Sequence, residues 1–286
     1  MTETAAPTRS AWSHVVGIVS VVGPPATVVT ALVFYFGWAR AKAQAEWMGL
    51  HVNLFGYTTR DFALLSISAL YLPLLLLVAL GLVWVWLDRV LRRRVDRGTA
   101  GRWSTTLPRA ALVGAGALIV LMVVLLFTER VYSPLYAPYL ITAGVLAAAW
   151  AVRVRRYAAG DDPRRTPEQR AVEATLVLVL VALLLFWGTS NFAEARGRGL
   201  AETLEANLAW QPRAQVYSRE PLGLDVPGVT TQQLGTEDAP LYRYDGLRLL
   251  TVSGGRYFFL HEGWSVEKGT VVVLPDDASL RVQYGR

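Results

Sequence analysis

The sequence contains no cysteine, which excludes a disulfide framework, a thiolate nucleophile and a cysteine-ligated metal. Lysine is almost missing too: Lys42 and Lys268 are the only two, so arginine carries nearly all of the 28 basic positions. The three histidines, His14, His51 and His261, are scattered, and none opens a His-Glu-x-x-His helix. Neither Ser253 nor Ser265 sits in a Gly-x-Ser-x-Gly elbow. The most informative absence is of charge. Residues 15–38, 62–87, 110–127, 135–152 and 174–188 hold no Asp, Glu, Lys or Arg. Runs of that length suit helices embedded in a bilayer, where hydrocarbon penalises charge and the backbone must pair with itself.

The composition agrees: of 286 residues, 53% are hydrophobic and only 17% charged. The fifth run is the shortest, and its uncharged neighbours through 193 bring it to spanning length. The expected fold is therefore a membrane α-helical bundle of five transmembrane helices, 15–38, 62–87, 110–127, 135–152 and 174–193. The first run has 24 residues, well beyond the ~7–15 of a signal-peptide core, so it reads as a retained anchor.

What charge there is lies in the connections. Residues 88–109 carry Arg89, Arg92, Arg93, Arg94, Arg97, Arg102 and Arg109 against Asp88 and Asp96. Residues 153–170 carry six arginines against Asp161, Asp162 and Glu168. The other two connections are poorer, with Arg40, Lys42 and Arg60 in the first and Arg130 in the third. The excess of basic residues on cytoplasmic loops places the second and fourth connections inside. The N-terminal segment 1–14 is then cytoplasmic and the long tail extracytoplasmic, in a plasma membrane. Tyr35, Phe36, Trp38, Tyr132, Tyr136, Tyr139, Phe186 and Trp187 form an outer aromatic belt on this threading, the headgroup level that amphipathic rings prefer.

Within the five cores no ionisable side chain offers a proton relay or ion path. Gly23-Pro24-Pro25 and Pro73 predict kinks, since proline removes a backbone donor. Ala110 with Gly114, and Gly144 with Ala148, have the small-xxx-small spacing that predicts close approach of the third and fourth helices. The first connection, 41–60, is rich in Trp47, Met48, Leu54, Phe55 and Tyr57. It reads either as a helix lying at the outer interface or as an ordered loop packed on the helix ends.

The tail changes period. Residues 194–209 predict a stalk helix, with Leu200, Leu204 and Leu208 on one face and Gly197 and Gly199 weakening its start. Residues 210–286 predict a separate, small antiparallel β domain, a meander curled like a small barrel. Its strands are expected at 215–218, 242–244, 248–252, 257–261, 270–274 and 280–284, with Ser253-Gly254-Gly255 as a hairpin turn. From Glu194 onward ten basic residues face twelve acidic ones, so nucleic acid is not an expected partner. The candidate binding surface is Arg248, Arg256, His261 and Trp264, polar and aromatic groups on strands or turns expected to face water, with His261 at a solvated strand end and Trp264 capping the meander. Asp276-Asp277 reads as a turn. No catalytic, cofactor or metal residues are expected.

Tyr35-Phe36-Gly37-Trp38, Gly56-Tyr57-Thr58-Thr59-Arg60-Asp61, Gly246-Leu247-Arg248-Leu249-Leu250 and Gly254-Gly255-Arg256-Tyr257-Phe258-Phe259-Leu260-x-x-Gly263-Trp264 together resemble a family of multi-pass membrane proteins of actinobacteria without an assigned activity. The resemblance implies a Gram-positive plasma membrane and carries no functional residues. The leading functional expectation is a non-enzymatic membrane protein whose outer β domain binds or senses an envelope or protein partner. The rival is a small transporter or channel component, oligomeric and using 23–25 and the first connection. An envelope enzyme comes third.

Overall fold

The computed structural model describes residues 11–96, 103–128, 133–159 and 166–285. The N-terminal segment 1–10, Arg97 and Arg102 of the second connection, Arg130 and Tyr132 of the third, and 160–165 of the fourth lie outside the described residues. Five helices come first: α1 (Ala11–Trp47), α2 (Thr59–Asp96), α3 (Trp103–Thr128), α4 (Ser133–Ala159) and α5 (Pro167–Ala206). Six strands follow: β1 (Arg213–Ser218), β2 (Thr230–Gln233), β3 (Tyr242–Ser253), β4 (Arg256–His261), β5 (Val271–Pro275) and β6 (Leu280–Gly285).

Four of the helices contain segments long and apolar enough to cross a membrane, Thr59–Val90, Pro108–Thr128, Pro134–Arg156 and Glu168–Ala206. Their bulky apolar side chains, among them Leu82, Val113, Phe127 and Leu178, are exposed. That surface suits hydrocarbon and is costly in water. The remaining helix, α1, is 37 residues long and helical over the whole first apolar run. It continues without a break through 23–25, so this part of the chain is not the split helix that a substrate site of the transporter type would use.

Two helix starts carry capping boxes. The Thr58 backbone N–H and hydroxyl both donate to Asp61 Oδ2 at 2.8 Å, and Asp61 N returns a bond to the Thr58 hydroxyl at the head of α2. At α5 the Thr166 N–H donates to Gln169 Oε1 and the Gln169 N–H to the Thr166 hydroxyl, with Pro167 in the first turn.

The helices follow the order α2-α1-α5-α4-α3, with α2 also touching α5. α1 packs on α2 and α5, and α4 packs on α5 and α3. Gly37 lies so close to the carbonyl of Phe62 that any Cβ there would collide with α2. Gly197, expected to weaken the stalk, instead lets α5 cross α1 directly over the carbonyl of Arg40. With Ala193 and Ala201, both fully buried, it forms a small-residue stripe at i, i+4, i+8. α3 and α4 do approach closely, at Gly144 of α4 as expected but by a different face of α3. A Cβ on Gly144 would touch Ile119 and Ala115, whereas Gly114 has open space and Ala110 is exposed.

The expected stalk is the upper part of α5, which runs unbroken for 40 residues to Ala206 and is followed by a 3-10 turn at Leu208–Trp210. The first connection is an ordered loop rather than a helix at the interface. α1 extends to Trp47, Gly49 turns the chain with φ 72°, and a 3-10 turn at Val52–Phe55 leads into α2.

The sheet order is β5-β4-β3-β1-β6, with β2 also on β3. β3–β4–β5 is the expected meander. β5 and β6 sit at opposite ends of this order yet are joined by only residues 276–279. Five flat strands would hold them about 19 Å apart. A fully stretched five-step link reaches only about 17 Å, and this one is folded into a turn by Leu280 N–H donating to Asp277 O. The sheet therefore curls. Ala214, Val216, Tyr244, Leu247, Phe259, Val272 and Leu274 meet inside the curl, with Leu280 and Val282 packed against them.

The expected strands at 242–244 and 248–252 are one strand. Gly246, read as a break, is an extra residue opposite β1 with φ 90°, a bulge that β3 passes through without ending. A Cβ there would strike the carbonyl of Gly228.

The β tail packs directly on the helix ends. Phe258 and Leu260 point off the outer face of β4 and are fully buried. Phe258 packs on Ala41, Ala45, Val52 and Phe55, its ring 4.6 Å from that of Phe55. Leu260 and Trp264 pack on Met48, just past the end of α1, and on Ala201 of α5, with Leu204 and Leu208 alongside. The Ser253–Arg256 hairpin touches the first connection, where Gly254 meets Gly56 backbone to backbone. The helix ends are thus one wall of the β domain's packing.

Candidate functional site

The four candidate residues do not form one water-facing surface. Three are buried. Arg248 and Trp264 are in the docking seam, where the outer face that looked free is covered by the helix ends. His261 pairs with Leu247 and so lies on the inner face of the sheet. Arg248 is 7% exposed. Its Nη1 donates to the carbonyls of Ala209 and Gln211, both at 2.9 Å, and its Nη2 to Glu262 Oε1 at 2.9 Å. It therefore clamps the end of the helical region to β3, with Arg213 standing 3.7 Å from the same carboxylate.

His261 is buried rather than solvated. Its Nδ1 lies 3.1 Å from the Glu262 carbonyl, and its Nε2 is enclosed without a partner. Trp264 is buried against Met48, Ala201 and Leu260, and its capping role extends to the helices. Gly269 is the position that makes room for its indole, since a Cβ there would collide with the ring. Only Arg256, at the hairpin, is exposed.

Asp276 and Asp277 belong to the turn that joins β5 to β6. Asp277 accepts bonds from the backbone N–H and hydroxyl of Ser279, which hold its carboxyl below the usual range. Asp276 accepts from the Tyr257 hydroxyl, which with lesser contributions pushes that phenol up to about 12. The contact ties β4 to the β5–β6 turn by side chains. Among the described residues, no three His, Asp or Glu side chains gather as a metal ion would need.

The water-facing polar chemistry is on the other half of the sheet. β1 and β6 pair in antiparallel register, with Tyr217 opposite Arg281 and Gln215 opposite Gln283. Side chains opposite each other point to the same face, so these four stand together outside the curl. Beside them a groove of about 740 Å³ opens between β1, β6 and the segments 219–222 and 278–281. Tyr217, Arg219, Glu220, Leu241, Arg281 and Gln283 are among the residues that line it. Next to it Asp245 takes bonds from Gln215 at 2.8 Å and Arg243 at 2.7 Å, and Arg243 reaches Gln232. The groove thus offers an aromatic face, two guanidiniums, a carboxylate and an amide on a rigid strand pair, a set that suits recognition of a polar ligand.

The architecture defines a class: apolar helices with a small curled β sheet docked on one end. No protein-family model, curated protein or solved structure matches this chain.

Proposed function

We propose that this chain is a five-span plasma-membrane protein, N-terminus inside and β sheet outside, that binds a polar component of the cell envelope through the β1–β6 groove and is not an enzyme. The single observation that carries the reading is the division of the sheet. Its β5-β4-β3 half is apolar and committed to the helix ends, while its β1–β6 half is polar and open. The arginine-rich second and fourth connections support the threading. The resemblance to actinobacterial membrane proteins supports the Gram-positive setting.

Because the sheet is docked and not tethered, occupancy of the groove has a direct mechanical route to α1 and α5 through β3, β4 and Arg248. Sensing is therefore a natural extension of binding. The test uses full-length protein in lipid nanodiscs, titrated with solubilised wall polysaccharide and peptidoglycan fragments. Binding should weaken about tenfold in Tyr217→Ala and Arg281→Ala, the loss typical of one good contact. Equal binding by both variants would overturn the groove. Solute flux or conductance by the purified protein in liposomes would promote the transporter rival instead.

A further inference from the structure

The outer end of the α1–α2–α5 seam carries positive charge without a counter-charge. Arg40 lies two residues beyond the first apolar run and is half-buried. Its Nη1 donates to the carbonyl of Leu65 on α2 at 2.8 Å, and its Nε is enclosed with no partner. Gly197 sets the α5 backbone against the Arg40 carbonyl, which brings the neighbouring Arg196 to the same crossing. Burial, and then the Arg196 charge, pull the Arg40 guanidinium below its ordinary value, with only the Tyr57 phenol opposing them.

The cations around this pair are matched. Lys42 lies 3.6 Å from Glu46, and Arg198 lies 3.9 Å from Glu194. Arg40 and Arg196 have no ion pair among the described residues. Two guanidinium charges brought to one helix crossing, one of them half out of water, repel each other, and an anion between them relieves the repulsion.

The position says which anion. Tyr35, Phe36 and Trp38 immediately precede Arg40, and Lys42 stands 5.4 Å over the Trp38 ring. Amphipathic aromatics and cations of this kind mark headgroup level. Phosphate is the anion found there, and its oxygens match the planar donor fork of arginine.

We propose that Arg40 and Arg196 form a binding site for one phosphate group, supplied by an anionic phospholipid of the outer leaflet at the junction of α1, α2 and α5. The site rests on the membrane reading but not on the β1–β6 groove. The lipid neutralises the pair at the crossing where α1 and α5 rise to meet the β sheet, so its occupancy stiffens the seam that carries the docked domain.

The experiment follows thermal unfolding of full-length protein in a neutral detergent, with phosphatidylglycerol, phosphatidylcholine or inorganic phosphate added. Phosphatidylglycerol should raise the midpoint by several degrees, and phosphatidylcholine should not. Arg196→Gln is the variant of choice, because this exposed side chain makes no hydrogen bond that the fold needs. It should shift half-saturation to about tenfold more lipid, as the loss of one charge-assisted bond does. Arg40→Lys, which keeps the charge and loses the fork, should weaken the response in the same direction. A midpoint shift with inorganic phosphate alone would keep the phosphate site and overturn the lipid as its source. Equal effects of the two lipids, or wild-type half-saturation in Arg196→Gln, would overturn the site. Reporter fusions at residue 60 read the threading independently, so an error of orientation is not mistaken for failure of the site.

Discussion

The two halves of α5 contrast within a single unbroken helix. Below Gly188, Val172, Leu176, Leu178 and Leu183 are exposed. From Gly188 upward, Thr189, Ser190, Ala193, Gly197 and Ala201 are buried. The lower half is bulky and branched, the upper half small or polar. The difference reflects what covers each half. Lipid tails cover large apolar side chains as well as protein does, so such residues give no reason for helices to associate. Association needs close backbone approach and hydrogen bonds, and the upper half supplies both. Ser190 pairs with the Tyr35 hydroxyl at 3.2 Å, and Asn191 donates to the Pro134 carbonyl at 2.6 Å. At the lower end the packing of α4 on α5 is reinforced by the Arg156–Glu173 pair at 2.7 Å.

The contrast is broken most severely at the docking seam. Phe258→Ala removes a fully buried ring from between β4 and the first connection and should cost about 3–5 kcal/mol. Thermal unfolding of the full chain checks this, and the same substitution at exposed Phe127 should be nearly silent. Gly197→Leu comes next. Its side chain must enter the Arg40 backbone, which should cost about 3 kcal/mol by overpacking. Gly199→Leu, two residues on in open space, should fold normally, and a comparison of monodisperse yield in detergent separates the two.

Arg248→Ala should cost about 2 kcal/mol, because the Ala209 and Gln211 carbonyls lose their donor. It should also release the end of α5, measured as faster amide exchange at 205–211.

The smallest effect sharpens the picture of the β5–β6 turn. Tyr257 has its pKa raised to about 12 by the bond to Asp276. An unfolded tyrosine ionises near 10. Stability from this contact is therefore complete below about pH 10 and is lost as pH rises toward 12. Tyr257→Phe should remove that alkaline step from the unfolding midpoint, with little change at neutral pH.

Much of the helical layer was legible because hydrocarbon imposes a rule on every residue of a span. A run without charge is visible in one dimension, and the Thr58-x-x-Asp61 and Thr166-x-x-Gln169 capping spacings are equally local signals. Local β pairing was legible for the same reason: Gly254 and Gly255 take φ 58° and 67°, as a two-residue hairpin turn requires.

What was not legible depends on contacts far apart in sequence. Gly246 has the sequence appearance of a turn and acts as a bulge. β2 reads Thr-Thr-Gln-Gln and is exposed at every position, so it has no apolar alternation to announce it. Arg248 and His261 belong to residue types that usually face water. The helix end buries the first, and a place beside Leu247 on the inner face of the sheet buries the second. The β1–β6 groove was missed because nothing local pairs Tyr217 with Arg281, 64 positions later.

The absence of cysteine makes the threading directly testable, because each introduced thiol is the only one in the chain. The proposed threading puts the lower helices in lipid and the β sheet outside. Arg281→Cys, Leu178→Cys and Arg155→Cys are probed with a membrane-impermeant maleimide, which needs the solvated thiolate. Arg281→Cys should label in intact cells, Arg155→Cys only after the membrane is opened, and Leu178→Cys in neither condition until detergent is added. Labelling of Arg155→Cys in intact cells, or rapid labelling of Leu178→Cys from water, would contradict it.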